Sequence, residues 1–144
     1  MSYATLEDLI GTFGAEDLIA LTDRADPPSD TIDEAAVASA LSGAQSLIDG
    51  YLAGRYATPL ATVPDIVQRW TLDLARHGLY LNKNGPTEAV QKAFLETLRQ
   101  LRDAADGRLT LAVAGVAAPA APGGGVKATI GQLVFDARTL GDYR

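Results

Sequence analysis

His77 is the only histidine in this chain of 144 residues, and Asp73 stands four positions before it. On a helix the two share a face. An imidazole held by a carboxylate is the base and orienter of a general-base or nucleophilic site. The nucleophile is missing: the chain has no cysteine, and no local motif places a serine or threonine. His77 also falls on the apolar face of its helix, where a core histidine with satisfied hydrogen bonds is the ordinary occupant. A metal would need further ligands at suitable spacing, and no His/Asp/Glu cluster supplies them. The acid pairs Glu7-Asp8 and Glu16-Asp17 are adjacent, so each diverges around its helix. Gly123-Gly124-Gly125-Val126-Lys127 lacks the GxxxxGK[ST] frame of a phosphate loop, and the strand and helix around it, so it reads as linker. The expectation is a protein that is not an enzyme and has no catalytic residue, metal or cofactor.

The elements that hold these residues read as helices. Thr5-Leu6-Glu7-Asp8 is a variant capping box, followed by Leu6, Leu9, Ile10 and Phe13 at helical spacing and by Gly14 as a stop. Leu18, Ile19 and Leu21 mark a second short helix, and Asp26-Pro27-Pro28-Ser29-Asp30 breaks the chain. A third helix runs from about Asp33 to about Gly54, with Val37, Ala40, Leu41, Ala44, Leu47, Ile48, Tyr51 and Leu52 on its apolar face. Pro64 opens a fourth, which runs to about Leu81. Gly85-Pro86 precedes a fifth that ends near Gly107, with Val90, Phe94, Leu98 and Leu101 inward and Glu88–Lys92 as a favourable outer pair. The expected core is Val37, Leu41, Leu47, Ile48, Tyr51, Trp70, Leu74, Phe94, Leu98 and Leu101.

Two features of these helices bear on association. Ser39, Gly43, Ser46 and Gly50 form a stripe of small residues, either a seam for close packing of another backbone or a plain solvated face. The fourth helix is apolar on two sides. Its main face is Ile66, Val67, Trp70, Leu74, His77, Gly78 and Leu81. Leu72 and Leu79 point nearly opposite, flanked by Arg69, Arg76 and Lys83. Such a helix is buried twice, or buried once and used in an interface. In so small a domain the interface is the expected use.

Past Gly107 the pattern changes. Residues 109–113 alternate like a short strand. Ala117-Ala118-Pro119-Ala120-Ala121-Pro122-Gly123-Gly124-Gly125 is a linker, and residues 126–135 could form a hairpin turning at Gly131-Gln132. The fold class expected is therefore mainly α: a small helical bundle over residues 1–107 and a linker with a β-hairpin or extended arm over residues 108–144.

The net charge of −6 argues against a nucleic-acid binder. Residues 1–34 hold nine acids and one base, whereas residues 35–144 hold nine acids and eleven bases. That asymmetry either steers head-to-tail association or reflects acids gathered at helix starts. The absence of cysteine excludes disulfides and is in keeping with assembly in a cytoplasm. No signal peptide is evident at the N-terminus, and no apolar run approaches the roughly 20 residues that span a bilayer.

Several segments carry a resemblance: residues 3–10 with Phe13-Gly14, Leu21-Thr22-Asp23-Arg24, Ile32-Asp33, Ile48-Asp49-Gly50-Tyr51-Leu52 with Arg55-Tyr56 and Pro59-Leu60, and Val63-Pro64. In order and spacing, over roughly residues 3–107, the chain resembles a family of small virion proteins of Mu-like phages and prophages. Members are similar in helical plan to the head–tail connector (head completion, or adaptor) proteins of tailed phages. The resemblance implies a non-enzymatic subunit of the virion neck, assembled in the host cytoplasm. It would form a homo-oligomeric ring between the portal and a tail, stopper or tail-terminator protein. DNA would pass through the channel without specific binding, and no membrane is involved. The expected subunit contacts are Ser39, Gly43, Ser46, Gly50, Arg69, Leu72, Arg76 and Leu79. The expected partner-docking residues are Arg55, Tyr56, Pro59 and Leu60, with Val126, Ile130, Leu133, Phe135, Leu140, Tyr143 and Arg144 of the arm. The alternative is a cytosolic helical adaptor or regulator that binds one protein partner and forms no ring.

Overall fold

Five helices follow one another along the chain: α1 (Leu6–Phe13), α2 (Ala15–Thr22), α3 (Glu34–Leu52), α4 (Asp65–Leu81) and α5 (Glu88–Ala105). This is a computed structural model, and it describes residues 2–113. Among the described residues there is no strand. The mainly α architecture read from the sequence is the one observed.

Each start has a local cause. At α1 the Thr5 hydroxyl accepts from the Asp8 amide at 3.3 Å, and the Asp8 carboxylate accepts from the Thr5 amide at 2.8 Å. That reciprocal pair satisfies two amides the helix itself leaves open. The same bonds favour the ionised carboxylate and hold the Asp8 pKa below the usual range, the Thr5 amide first. Asp33 caps α3 by accepting from Ala35 and Ala36 at 3.0 and 3.1 Å. Thr87 caps α5 by accepting from Val90 at 3.4 Å. Gly14 joins α1 to α2 at φ 90°, a backbone conformation that costs glycine little.

α4 is the central element. Val67, Trp70, Thr71, Leu72, Leu74, Ala75, His77 and Leu79 are all buried. α3 packs along it most extensively, α5 covers a second side, and α2 packs against a third. Trp70, 1% exposed, donates through Nε1 to the Gln100 side-chain oxygen of α5 at 2.8 Å. The α1–α2 hairpin buries Leu9 and Leu18 completely and joins the same core cluster as Leu72 and Leu79.

The expected core is largely the observed one. Val37, Leu41, Ile48, Trp70, Leu74 and Leu101 are buried, and Tyr51, Phe94 and Leu98 are partly buried. Leu47 is the exception, 39% exposed on the outside of α3. On the outer face of α5 the close ion pairs join Arg99 to Glu96 at 2.7 Å and to Asp103 at 3.8 Å; Glu88–Lys92 is not among them. Arg99 and then Gln100 hold the Glu96 carboxyl down to about 2.

The packed body extends beyond Gly107. Residues 109–113 alternate as expected, with Leu111 and Val113 buried and Thr110 and Ala112 exposed, but among the described residues no strand pairs with them. They lie against the bundle instead, and the Leu111 amide donates to the Tyr56 hydroxyl at 3.0 Å. The boundary expected at residue 107 therefore cuts through packed chain. The expected linker and hairpin fall outside the described residues.

Candidate assembly surfaces

The crossing from α3 to α4 is built from residues read in the sequence as partner-docking. Arg55 donates through Nε to the Ala105 carbonyl at 2.8 Å and through a terminal nitrogen to the Asp106 carbonyl at 3.1 Å. It thus supplies donors and positive charge to the carbonyl end of α5. Gly107 lies directly against this guanidinium at φ 79°. A Cβ there would stand 2.4 Å from it, so a larger residue would make the Arg55 side chain shift, and the positive φ is what favours glycine. Tyr56 is 5% exposed and holds Leu111, and Leu60 is 2% exposed. Of the four expected docking residues only Pro59 is freely exposed. The others bind the chain to itself. The remaining seven, Val126, Ile130, Leu133, Phe135, Leu140, Tyr143 and Arg144, lie outside the described residues.

Tyr3 closes the same crossing from the N-terminal side. Its hydroxyl donates to the Asp49 carboxylate and accepts from the Leu60 amide at 2.8 Å. Burial, then the bond to Asp49, pushes its pKa up to about 12. The protonated phenol is therefore the form that the fold favours, and the linkage has a definite sign. This stabilisation is complete below the unfolded value near 10 and is lost as pH rises through about 12. Tyr3→Phe removes both hydrogen bonds and is expected to cost about 1–3 kcal/mol at neutral pH. Urea melts from pH 9 to 12 should show a stability loss in the native chain that the phenylalanine variant largely lacks.

The second apolar side of α4 faces inward as well. Leu72 is 5% exposed and Leu79 is 2% exposed. Leu72, Arg76 and Leu79 lie on one stripe of α4, and Lys83 follows just past its end. The Arg76 guanidinium stands 4.3 Å from the Phe13 ring centroid and bonds Asp17 at 3.0 Å, and Lys83 donates to the Ala20 carbonyl. The α1–α2 hairpin therefore covers this face, and Leu72, Leu79 and Arg76 are not a free interface. The expectation missed that the apolar side of the hairpin itself needs a partner. Leu9, Leu18 and Leu21 were the available signal. Arg69, in contrast, is exposed and, among the described residues, pairs with Asp73 at 3.3 Å.

His77 has a structural place. Its ring stacks on Phe94 at 3.7 Å between centroids, and Nε2 lies 3.0 Å from the Gln91 side-chain oxygen. Asp73 bonds Arg69 instead. Among the described residues no group of three or more His, Asp or Glu side chains could hold a metal ion.

What remains outward is the stripe on α3. Ser39, Gly43, Ser46 and Gly50 are all exposed, and Leu47 joins them on the same face. Among the described residues a Cβ built on Gly43 or Gly50 meets nothing within 4 Å, so packing among them forces neither glycine.

Residues 3–129 match the family described as Bacteriophage Mu, Gp36. The chain belongs to this family. It is 36% identical over 108 residues to Gene product J of Escherichia phage Mu, covering 75% of this chain and 74% of that protein. It is 39% identical over 85 residues to the Mu-like prophage FluMu protein gp36 of Haemophilus influenzae, covering 59% of each. The Mu-like likeness read over roughly residues 3–107 is thus a family membership, and the protein is a phage protein. The segments that carry the likeness are the ones this structure ties together: Tyr3 to Asp49 and Leu60, and Arg55 and Tyr56 to the chain beyond α5. In this chain they define the fold of the bundle more than a surface of it. Among the described residues no helix is long and apolar enough to cross a membrane.

Proposed function

We propose that this phage protein is a structural, non-enzymatic virion component of the neck: a head–tail connector subunit that forms a ring and contacts the portal on one side and a tail or stopper protein on the other. The observation that carries this reading is the outward α3 stripe in a chain of a bacteriophage Mu family. Small residues at positions 39, 43, 46 and 50 let another backbone approach closely, and Leu47 supplies an apolar contact beside them. A neighbour that presents a different surface to this stripe makes a heterologous contact, which closes into a ring when the rotation allows. The acidic first third offers such a neighbour an electrostatic complement. A net charge of −6 also suits a channel through which DNA slides, since bound phosphates would hold it in place.

Gly43→Gln with Gly50→Gln tests this. Both positions are open, and each exchange removes a mid-helix glycine, so the variant should fold with stability raised by up to about 1 kcal/mol per site. Its longer side chains block close approach. Sedimentation of native and variant chains, alone and with portal protein, should show rings for the native chain and isolated subunits for the variant. Undiminished rings in the variant would remove the stripe from the interface. A native chain that binds one partner and never closes a ring would favour an adaptor.

A further inference from the structure

Asn82 and Asn84 are the only asparagines in the chain, and Asn84 alone is followed by glycine. An Asn-Gly pair is chemically labile in water. The glycine amide nitrogen loses its proton to hydroxide and attacks the side-chain carbonyl carbon of the asparagine. A new C–N bond closes a succinimide ring. The bond to the side-chain nitrogen breaks, and that nitrogen takes up a proton and leaves as ammonia. Water then opens the ring at one carbonyl or the other, giving aspartate or isoaspartate. In sum a water is consumed and an ammonia is released, with no change of oxidation state. Glycine permits the attack because no side chain obstructs its nitrogen. Asn82 precedes Lys83, whose side chain does obstruct it.

The fold places this pair where α4 ends. Asn84 is exposed in the crossing between α4 and α5, so water reaches it. The nucleophile, however, is engaged. The Gly85 amide donates to the Tyr80 carbonyl, five positions earlier, at 2.9 Å, and the Lys83 amide donates to the same carbonyl at 3.1 Å. Gly85 stands at φ 80°, the left-handed conformation in which a glycine closes a helix this way. Ring closure needs a bare Gly85 nitrogen turned onto the Asn84 side chain, so the bond to Tyr80 must break first. The same turn is fastened to the chain around α2. Lys83 donates through its ammonium to the Ala20 carbonyl, and Arg24 donates to the Asn82 carbonyl at 2.8 Å. Opening of this turn is local: it needs these ties to break and leaves the core in place.

We propose that Asn84 is a latent deamidation site. The closing turn of α4 holds it shut in the folded chain, and Asn84 is converted to aspartate and isoaspartate when that turn opens. The product sets a negative charge at the carbonyl end of α4, the pole that disfavours it. Isoaspartate also lengthens the backbone between residues 84 and 85 by a methylene, which shifts Gly85 out of register with Tyr80. A chain modified here therefore has a looser joint between α4 and α5. The inference goes beyond the connector reading and does not depend on it.

Full-length protein is incubated at mildly alkaline pH, folded or unfolded in guanidinium chloride, and then digested. Peptide mass spectrometry reads the amide-to-acid mass gain at each asparagine, and enzymatic isoaspartyl methylation reads the product. In denaturant Asn84 should convert at least about tenfold faster than Asn82, and at least about tenfold faster than Asn84 of the folded chain. Asn84→Gln should remove the signal at this position. Lys83→Ala removes the tie to Ala20 and should raise the folded rate about threefold, measured against that variant's own unfolded rate. Equal folded and unfolded rates in the native sequence overturn the gate, and so does a Lys83→Ala ratio that does not move. An Asn84 that converts no faster than Asn82 in denaturant overturns the site itself. Ring formation in sedimentation is read separately, so either failure leaves the connector reading standing.

Discussion

Leu72→Glu combined with Leu79→Glu is expected to leave no cooperatively folded chain at neutral pH. The two leucines are 5% and 2% exposed and share one core with Leu9, Leu18 and Leu21 of the α1–α2 hairpin. Each exchange forfeits about 2–3 kcal/mol of apolar burial. Each also sets a carboxylate in a face where Arg76 is already engaged with Asp17 and Phe13. An unpaired buried charge belongs to the small class of changes costing more than about 4–5 kcal/mol. Two of them exceed or match the roughly 5–15 kcal/mol by which a domain is stable at all. Far-UV circular dichroism on heating should lose its cooperative transition. Leu72→Ala alone should cost about 2–5 kcal/mol and keep it. A double variant that melts like the native chain while failing to assemble would move these leucines to a subunit surface and detach the hairpin from α4.

Trp70→Ala is expected to cost about 3–5 kcal/mol. The indole is 1% exposed at the junction of α4 and α5, and its removal opens the largest fully buried side chain in the core. It also leaves Gln100 without the partner it holds at 2.8 Å. At about 3–5 °C of Tm per kcal/mol for a chain of this length, the melting temperature should fall by roughly 10–20 °C. Trp70→Phe fills most of the space and should lose about half as much or less. Trp70 is the only tryptophan, so circular dichroism is the readout that serves all three proteins. A drop of less than about 1 kcal/mol for Trp70→Ala would mean that α5 does not pack on α4 as described.

The helices were legible because their signals are local. The capping box at Thr5 and Asp8, the cap at Asp33, Pro64 before α4 and Gly107 after α5 each act within a few residues. Most of the core followed from helical spacing. Leu47 did not, since it sits at the edge of the apolar arc, and neighbouring helices decide which side of that edge is covered.

Surfaces were less legible for the same reason. Leu72 and Leu79 read correctly as a second apolar side of α4, but periodicity does not say whether the cover comes from the same chain or another. The α1–α2 hairpin settles it, through Arg76 on Phe13 and Asp17 and Lys83 on Ala20. Arg55 and Tyr56 stood out for their residue types, in a short crossing that looked available. Their partners, Ala105, Asp106 and Leu111, lie about fifty positions away in the chain. No local pattern connects them. The α3 stripe was readable because two glycines in mid-helix lower helix stability, and packing among the described residues does not account for the open space around their Cβ positions.

The structure of the neck in purified phage particles, determined by electron cryomicroscopy, tests the connector role most directly. The expected result is a closed ring of this chain between head and tail, with Ser39, Gly43, Leu47 and Gly50 of each subunit against a neighbour. Particles that lack the chain, or hold it as separate copies with that stripe facing solvent, would contradict it.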